Sequence, residues 1–370
     1  MVKMLYTKDK SGKVRYWSVS VDEEADQVFV TKRFGVHGGK ETVTRTEIKA
    51  GKNLGKKNET SKVQQAHLEA KSLTKKQMDA GYVEDRESLE ARVLILPMLA
   101  NKWEDKAHYI SEPFYVQPKL DGVRMLVGRH EGKILMLSRT GKPVKHMEHI
   151  SNEVESLLKE GDFLDGESYN HDITFEEITG MCRTSLDSSA ASKDLQKIQF
   201  HVFDFFNLRK LDETFEERLK KFQKFFQKVF QNVKIVPTNL VKDRSSIPLV
   251  HGEYIKSGYE GVMMRDPKGK YALAERSNHL LKYKSFQTEE YKVVGAEEAK
   301  GRDIGTVVWV CETQEGQTFS VRPRGTVDQR RNWLADKDTY LGKRLTVQFQ
   351  NLTPDGIPRF PVGVSFRDYE

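Results

Sequence analysis

Six short patterns along the 370-residue chain carry groups that could do chemistry together. The first is Lys119-Leu-Asp-Gly-Val-Arg124, between Phe114-Tyr-Val-Gln-Pro118 and Met125-Leu-Val127. Its flanks read as strands and its Leu-Asp-Gly centre as a turn. A lysine fixed at such a turn can be a nucleophile, because cations around an amine favour its neutral form and free a lone pair at neutral pH. The same residues also suit a solvated hairpin tip, and the pattern alone leaves both readings open.

Five further patterns follow. Ser138-Arg139 ends the strand begun at Lys133, and Asp162-Phe-Leu-Asp-Gly-Glu-Ser-Tyr169 sets Asp165 and Glu167 on one face of a strand. Ile198-Gln-Phe-His-Val-Phe-Asp-Phe-Phe206 is an apolar strand holding Phe203 and Asp204, and Tyr259-Glu-Gly-Val-Met-Met-Arg265 sets Glu260 at the mouth of another. Leu280-Leu-Lys-Tyr-Lys-Ser-Phe286 puts Lys282 and Lys284 two apart, a spacing that makes a poor surface edge and a good anion clamp. Plainer readings stand beside these. Asp121 and Asp204 suit backbone amides at a turn and a strand end, Asp165 reads as a turn residue, and His201 as a core histidine. Arg265 stays open between site residue and surface cation.

The elements that must position these groups follow from composition and periodicity. With 37% hydrophobic, 10% aromatic and 31% charged residues the chain is globular, and its length calls for two or three domains. A net charge of +7 suits a polyanionic partner. Cys182 and Cys311 are the only cysteines, too few for a disulfide framework or a four-ligand zinc site. No apolar run reaches membrane-spanning length and the N-terminus lacks an apolar leader, so a soluble, intracellular protein with no membrane partner is expected.

Residues 1–85 read as a small α+β domain: alternating strands over 14–21, 27–34 and 41–48, then a helix with Val63, Ala66, Ala70 and Leu73 on one face. From Arg45 to Lys76 this segment carries nine Lys/Arg against three Glu, which suits either phosphate contacts or a solvated face. Residues 86–286 hold all six patterns. They also hold an apolar run over 93–100, a helix with Ile150, Val154, Leu157 and Leu158, and an amphipathic helix with Phe215, Leu219, Phe222, Phe226 and Val229 on one face. Residues 287–370 change to short alternating strands with Gly-rich turns, as an OB-fold β-barrel requires.

In this order the six patterns resemble the ATP-dependent polynucleotide ligases of the covalent nucleotidyltransferase superfamily, most closely the DNA ligases, over roughly residues 93–370. The resemblance implies an α+β fold: a nucleotidyltransferase (adenylation) domain of antiparallel sheets with flanking helices, then an OB-fold barrel. It also implies a lysyl-AMP intermediate on Lys119, with Lys282 and Lys284 neutralising phosphate charge. Gln117, Arg124, Glu167, Phe203, Glu260, Arg359 and Arg367 would bind ATP, with Phe203 stacked on adenine and Gln117 at its edge. Glu167 and Glu260 would hold Mg2+ (or Mn2+), and Ser138 and Arg139 the 5′-phosphate of a nick. The implied partner is nicked duplex DNA, bound by a monomer. Residues 32–82 resemble the WGR module of nucleic-acid enzymes, with Phe34-Gly35-Val36 where that family has Trp-Gly-Arg.

Three rivals share features. NAD-dependent ligases usually carry a zinc cluster, for which two cysteines are too few. RNA ligases and mRNA-capping-type nucleotidyltransferases share the lysine and the barrel. A non-catalytic nucleic-acid-binding adaptor could keep the fold, although Lys119, Glu167, Glu260, Lys282 and Lys284 are all present.

Overall fold

The computed structural model describes residues 3–9, 11–86, 89, 95–187 and 193–366. The chain divides into two compact units, residues 1–246 with 263–281, and residues 247–262 with 282–370.

The first unit opens with β1 (Lys3–Lys8), β2 (Val14–Glu24), β3 (Gln27–Val36) and β4 (Glu41–Glu47), an antiparallel sheet in chain order. Period-2 alternation sends Leu5, Trp17, Val19, Val28 and Val30 to one face, where they pack as a core with Ile48 and Ala66. Each large apolar side chain so buried contributes about 1.5–3 kcal/mol. Helix α1 (Lys62–Asp79) covers that face. It begins at a capping box between Ser61 and Gln64, and brings Val63, Ala66, Ala70 and Leu73 to the core as their spacing predicts.

The chain continues through β5 (Leu99–Lys102), the short helix α2 (Trp103–Lys106), β6 (Phe114–Lys119), β7 (Val123–His130), β8 (Lys133–Ser138), α3 (Glu148–Val154) and β9 (Asp162–Tyr169). Next come α4 (Phe175–Asp187), β10 (Gln199–Asn207), α5 (Phe215–Phe225), β11 (Val233–Ile235) and β12 (Asn239–Val241). After α6 (Ile247–Lys256), β13 (Gly261–Arg265) and β14 (Arg276–Tyr283) complete the set. Two five-stranded sheets result, ordered β11-β10-β9-β7-β8 and β12-β6-β13-β14-β5. Their shared core includes Leu126, Phe163, Phe206, Tyr271 and Leu280. Phe206 stacks on Phe163 at 5.4 Å and on Tyr271 at 4.0 Å between ring centroids.

Within the apolar run over 93–100, β5 begins at Leu99, and Val93 and Leu94 lie outside the described residues. Two expectations change here. α3 ends at Val154, so Leu157 and Leu158 follow it, with Leu158 still buried. α5 ends at Phe225, which leaves Phe215, Leu219 and Phe222 in the core and Val229 99% exposed. Helical spacing carried past the helix end gave Val229 a face it does not share.

In the second unit β15 (Gln287–Glu298), β16 (Val307–Glu312), β17 (Thr318–Pro323), β18 (Arg344–Phe349) and β19 (Val362–Phe366) form a closed barrel, ordered β15-β16-β17-β19-β18. Trp309, Val293, Val307, Val321 and Val347 fill it, and Trp333 of α7 (Val327–Ala335) packs against that core. Closure removes the free edges that short strands would otherwise expose. This is the OB-type barrel expected of the chain's last part.

Candidate active site

Lys119 is the last residue of β6, and Gly122 immediately precedes β7. Those two strands belong to different five-stranded sheets, so the Lys119 turn is the point where the chain crosses between sheets rather than a hairpin tip. Gly122 shows why the crossing needs glycine. A Cβ there would stand 2.4 Å from the Ser168 carbonyl oxygen and 2.8 Å from Glu167 Cγ. The lysine turn is thus packed directly against the β9 segment that carries Glu167. In the β7–β9 ladder Arg124 lies opposite Glu167, and Leu126 opposite Asp165.

Asp165 is fully buried within β9, not at a turn. Its two oxygens accept from Arg124 Nε and Nη2, both at 2.6 Å, and Oδ2 also accepts from the Tyr271 hydroxyl at 2.6 Å. Burial, followed by the charge of Asp165, pushes the Tyr271 phenol well above its ordinary pKa. The Arg124 Cζ sits 4.5 Å from the centroid of the Phe203 ring. Arg124, expected at sugar and phosphates, is therefore anchored to Asp165 and Phe203 here.

Phe203 is the bulge residue of β10: Val202 pairs with Gly166 and Asp204 with the very next residue, Asp165, which leaves Phe203 without a partner in that ladder. Bulges re-aim side chains next to functional sites. The Phe203 ring has Arg124 on it at 4.5 Å and Arg265 at 5.5 Å.

Below the ring lies a buried polar network. Asp204 accepts from Arg218 Nε at 2.9 Å and Nη2 at 3.0 Å, from Arg265 Nη1 at 2.6 Å and from the Phe205 amide at 2.8 Å. Burial alone would raise the Asp204 pKa, but the two guanidiniums outweigh it and hold the group below its ordinary value. Arg265 also donates to Gln117 Oε1 at 2.6 Å, and Gln117 Nε2 donates to the Phe203 carbonyl at 2.9 Å and to Thr238 Oγ1 at 2.8 Å. The plainer readings of Asp204 and Arg265 are corrected: Asp204 satisfies one amide and also neutralises two arginines, and Arg265 is buried. Gln117, expected at the adenine edge, is itself buried and spends its amide on this network.

Ser138 ends β8, and its hydroxyl accepts from the Lys142 amide at 3.1 Å in the turn that presents exposed Arg139. His201 is half-buried, bonded at 3.0 Å to Gln199 Oε1. Burial first, then the charge of Lys234, pushes its pKa down to about 4, so it is neutral, but it lies opposite Glu167 in the β9–β10 ladder rather than in the core as expected. The Cys182 thiol is pushed up to about 12 by burial and by the nearby Glu167 charge.

In the second unit Glu260 directly precedes β13 and forms an ion pair with Lys284, whose Nζ also donates to Gln350 Oε1 at 2.9 Å. Lys282 lies within β14 and Lys284 one residue past its end. Arg359 is buried, its amide donating to the Asn351 carbonyl at 2.8 Å and its Cζ lying 5.6 Å from the Phe360 ring centroid. Arg367 lies outside the described residues.

The family profile for the ATP dependent DNA ligase domain matches residues 97–284, and that for the DNA ligase OB-like domain matches residues 305–367. The chain belongs to the ATP-dependent DNA ligases. The DNA ligase of African swine fever virus, isolate Pig/Kenya/KEN-50/1950, is 31% identical over 95% of this chain and 86% of the viral protein. DNA ligase 2 of Haloquadratum walsbyi is 25% identical over 65% of this chain and 38% of its own length. Two solved structures share the fold. Pmar-Lig_Pre. has a TM-score of 0.64 at 23% identity, over 75% of the ligase and 69% of that chain. A structure from a structure-function analysis of Lig E DNA ligases has a TM-score of 0.61 at 22% identity, over 74% of the ligase and all of that chain. The RNA-ligase, capping and adaptor readings give way to a DNA-joining enzyme that uses ATP.

Sequence reasoning missed Tyr271, Arg218 and Thr238, and undervalued Asp165. The one signal for Asp165 was its place in a strand two residues before Glu167, where period 2 puts both carboxyls on the same side. No helix among the described residues is long and apolar enough to cross a membrane.

Proposed function

We propose that the ligase seals nicks through a lysyl-AMP formed on Lys119. The observation that supports this most is the packing of the Lys119 turn against Glu167 at a glycine that tolerates no side chain. The Lys119 amine attacks the α-phosphorus of ATP and pyrophosphate leaves, giving a phosphoramidate. The AMP then passes to the 5′-phosphate of the nick, and the adjacent 3′-hydroxyl displaces it to close the strand. Catalysis of such transfers is mostly positioning and charge neutralisation, roles we give to Lys282 and Lys284 on the phosphates. Phe203, held in place by the guanidiniums of Arg124 and Arg265 against its ring, stacks on adenine. Gln117, Arg124 and Glu260 complete the nucleotide site, and Arg359 and Arg367 contact the leaving pyrophosphate.

Glu167 and Glu260 are hard oxygen donors of the kind Mg2+ (or Mn2+) takes, and such an ion needs only one or two carboxylates because phosphates and waters fill its remaining positions. Bound there, it would offset charge on the triphosphate. Ser138 and Arg139 hold the 5′-phosphate. We further propose that the chain is divided at residues 85 and 286, that the ligase works as a monomer, and that the WGR-like domain contacts duplex phosphates through Lys52, Lys56, Lys57 and their neighbours.

The test is incubation with α-labelled ATP and Mg2+, without nucleic acid, on a denaturing gel. Label on the wild type and none on Lys119→Ala supports the intermediate; label on neither, or on both, refutes it.

A further inference from the structure

We infer that Asp79, the last residue of α1, is a positioning residue for the turn that carries Ser138 and Arg139, tying the N-terminal domain to nick recognition. The inference rests on the reading of that turn as the 5′-phosphate site.

Asp79 Oδ2 lies 2.6 Å from Lys142 Nζ, the two side chains being 31% and 40% exposed. Lys142 sits directly across the turn from Ser138. Its amide donates to Ser138 Oγ at 3.1 Å, its carbonyl accepts from the Ser138 amide at 2.8 Å, and Gly141 between them adopts a φ of 76°. The turn continues as a bridge between Leu137 and Pro143, so a pull on Lys142 reaches Ser138 through backbone bonds. A second observation concerns Asp79 itself. A carboxylate in the last turn of a helix faces the negative end of the helix dipole and is locally unfavourable there. Its partner across 63 positions in the chain supplies the compensation. Through this pair α1, whose other side is packed on the β1–β4 sheet, becomes a brace for the turn.

The test uses the full chain with Asp79→Lys, Lys142→Asp, both together, and Asp79→Glu. Nicked duplexes bear either a 5′-phosphate or a 5′-hydroxyl. Each charge reversal alone should weaken affinity for the phosphorylated nick about two- to five-fold, the range of an exposed ion pair. Affinity for the hydroxyl nick and self-labelling by ATP should not change, and the double reversal and Asp79→Glu should restore binding. Equal losses on both nicks, no loss, or no restoration would overturn the inference. Ser138→Ala and Arg139→Ala separate it from the reading beneath. If they abolish the preference for a 5′-phosphate while the Asp79 variants do nothing, this inference alone fails; if they leave the preference intact, both fail.

Discussion

The Arg124 guanidinium grips both oxygens of Asp165 with two 2.6 Å hydrogen bonds, and its Cζ lies 4.5 Å from the Phe203 ring centroid. One side chain thus joins the strand after the lysine turn, the strand of Glu167 and the aromatic ring at the bulge. A planar fork is needed for that geometry, and an ammonium cannot reproduce it. Arg124→Lys should cost about 1–3 kcal/mol and slow self-adenylylation more than it alters ATP affinity. Urea denaturation and single-turnover labelling check it, and unchanged values for both would show that the fork does not set the site.

Gly122→Ala tests the crossing between the sheets. Its methyl would meet the Ser168 carbonyl at 2.4 Å, a backbone atom that cannot swing away. Expected are about 1–3 kcal/mol of destabilisation and a large loss of self-labelling. Gly252→Ala is the control: it lies within α6 with no atom within 4 Å of the new methyl, and should be neutral or stabilise by up to about 1 kcal/mol.

Asp204→Asn removes the one negative charge shared by Arg218 and Arg265. Leaving both guanidiniums uncompensated in the interior should cost about 3–5 kcal/mol, read from chemical denaturation. Since the folded pKa of Asp204 is depressed, its contribution is present above the ordinary carboxylate range and is lost as pH falls through the folded value. Equal stability of Asn and Asp at pH 7 would contradict the network.

His201 carries a pH dependence of its own. An unfolded histidine takes up a proton near pH 6.5, whereas folded His201 refuses one until about pH 4. The unfolded state therefore binds more protons between those values, and this residue lowers stability as pH falls through them, by up to about 3 kcal/mol. His201→Gln should flatten the stability-versus-pH curve between pH 6.5 and 4. A slope identical to wild type would show that the ring protonates in place.

Much of this was legible in the chain. Alternation gave the barrel and the N-terminal sheet, because one face of each strand is buried and the pattern must follow the pleat. Lys119, Glu167, Lys282 and Lys284 stood out by residue type and spacing. The crossing between sheets at Gly122 was not legible, since Leu-Asp-Gly reads equally well as a hairpin turn. Nor was the bulge at Phe203, which depends on the register of β9 against β10 rather than on either strand alone. The links from Asp165 to Tyr271 and from Asp204 to Arg265 span 106 and 61 positions, and no local periodicity carries such pairings.

The most direct test of the central claim is to incubate the ligase with ATP and Mg2+, digest it at neutral to alkaline pH to preserve the phosphoramidate, and locate the adenylyl group by tandem mass spectrometry. The account predicts AMP on Lys119 alone, together with a Lys119→Ala variant that cannot be adenylylated yet still seals a nick already carrying 5′-AMP. Adenylylation on any other residue, or on the Lys119→Ala variant, would contradict it.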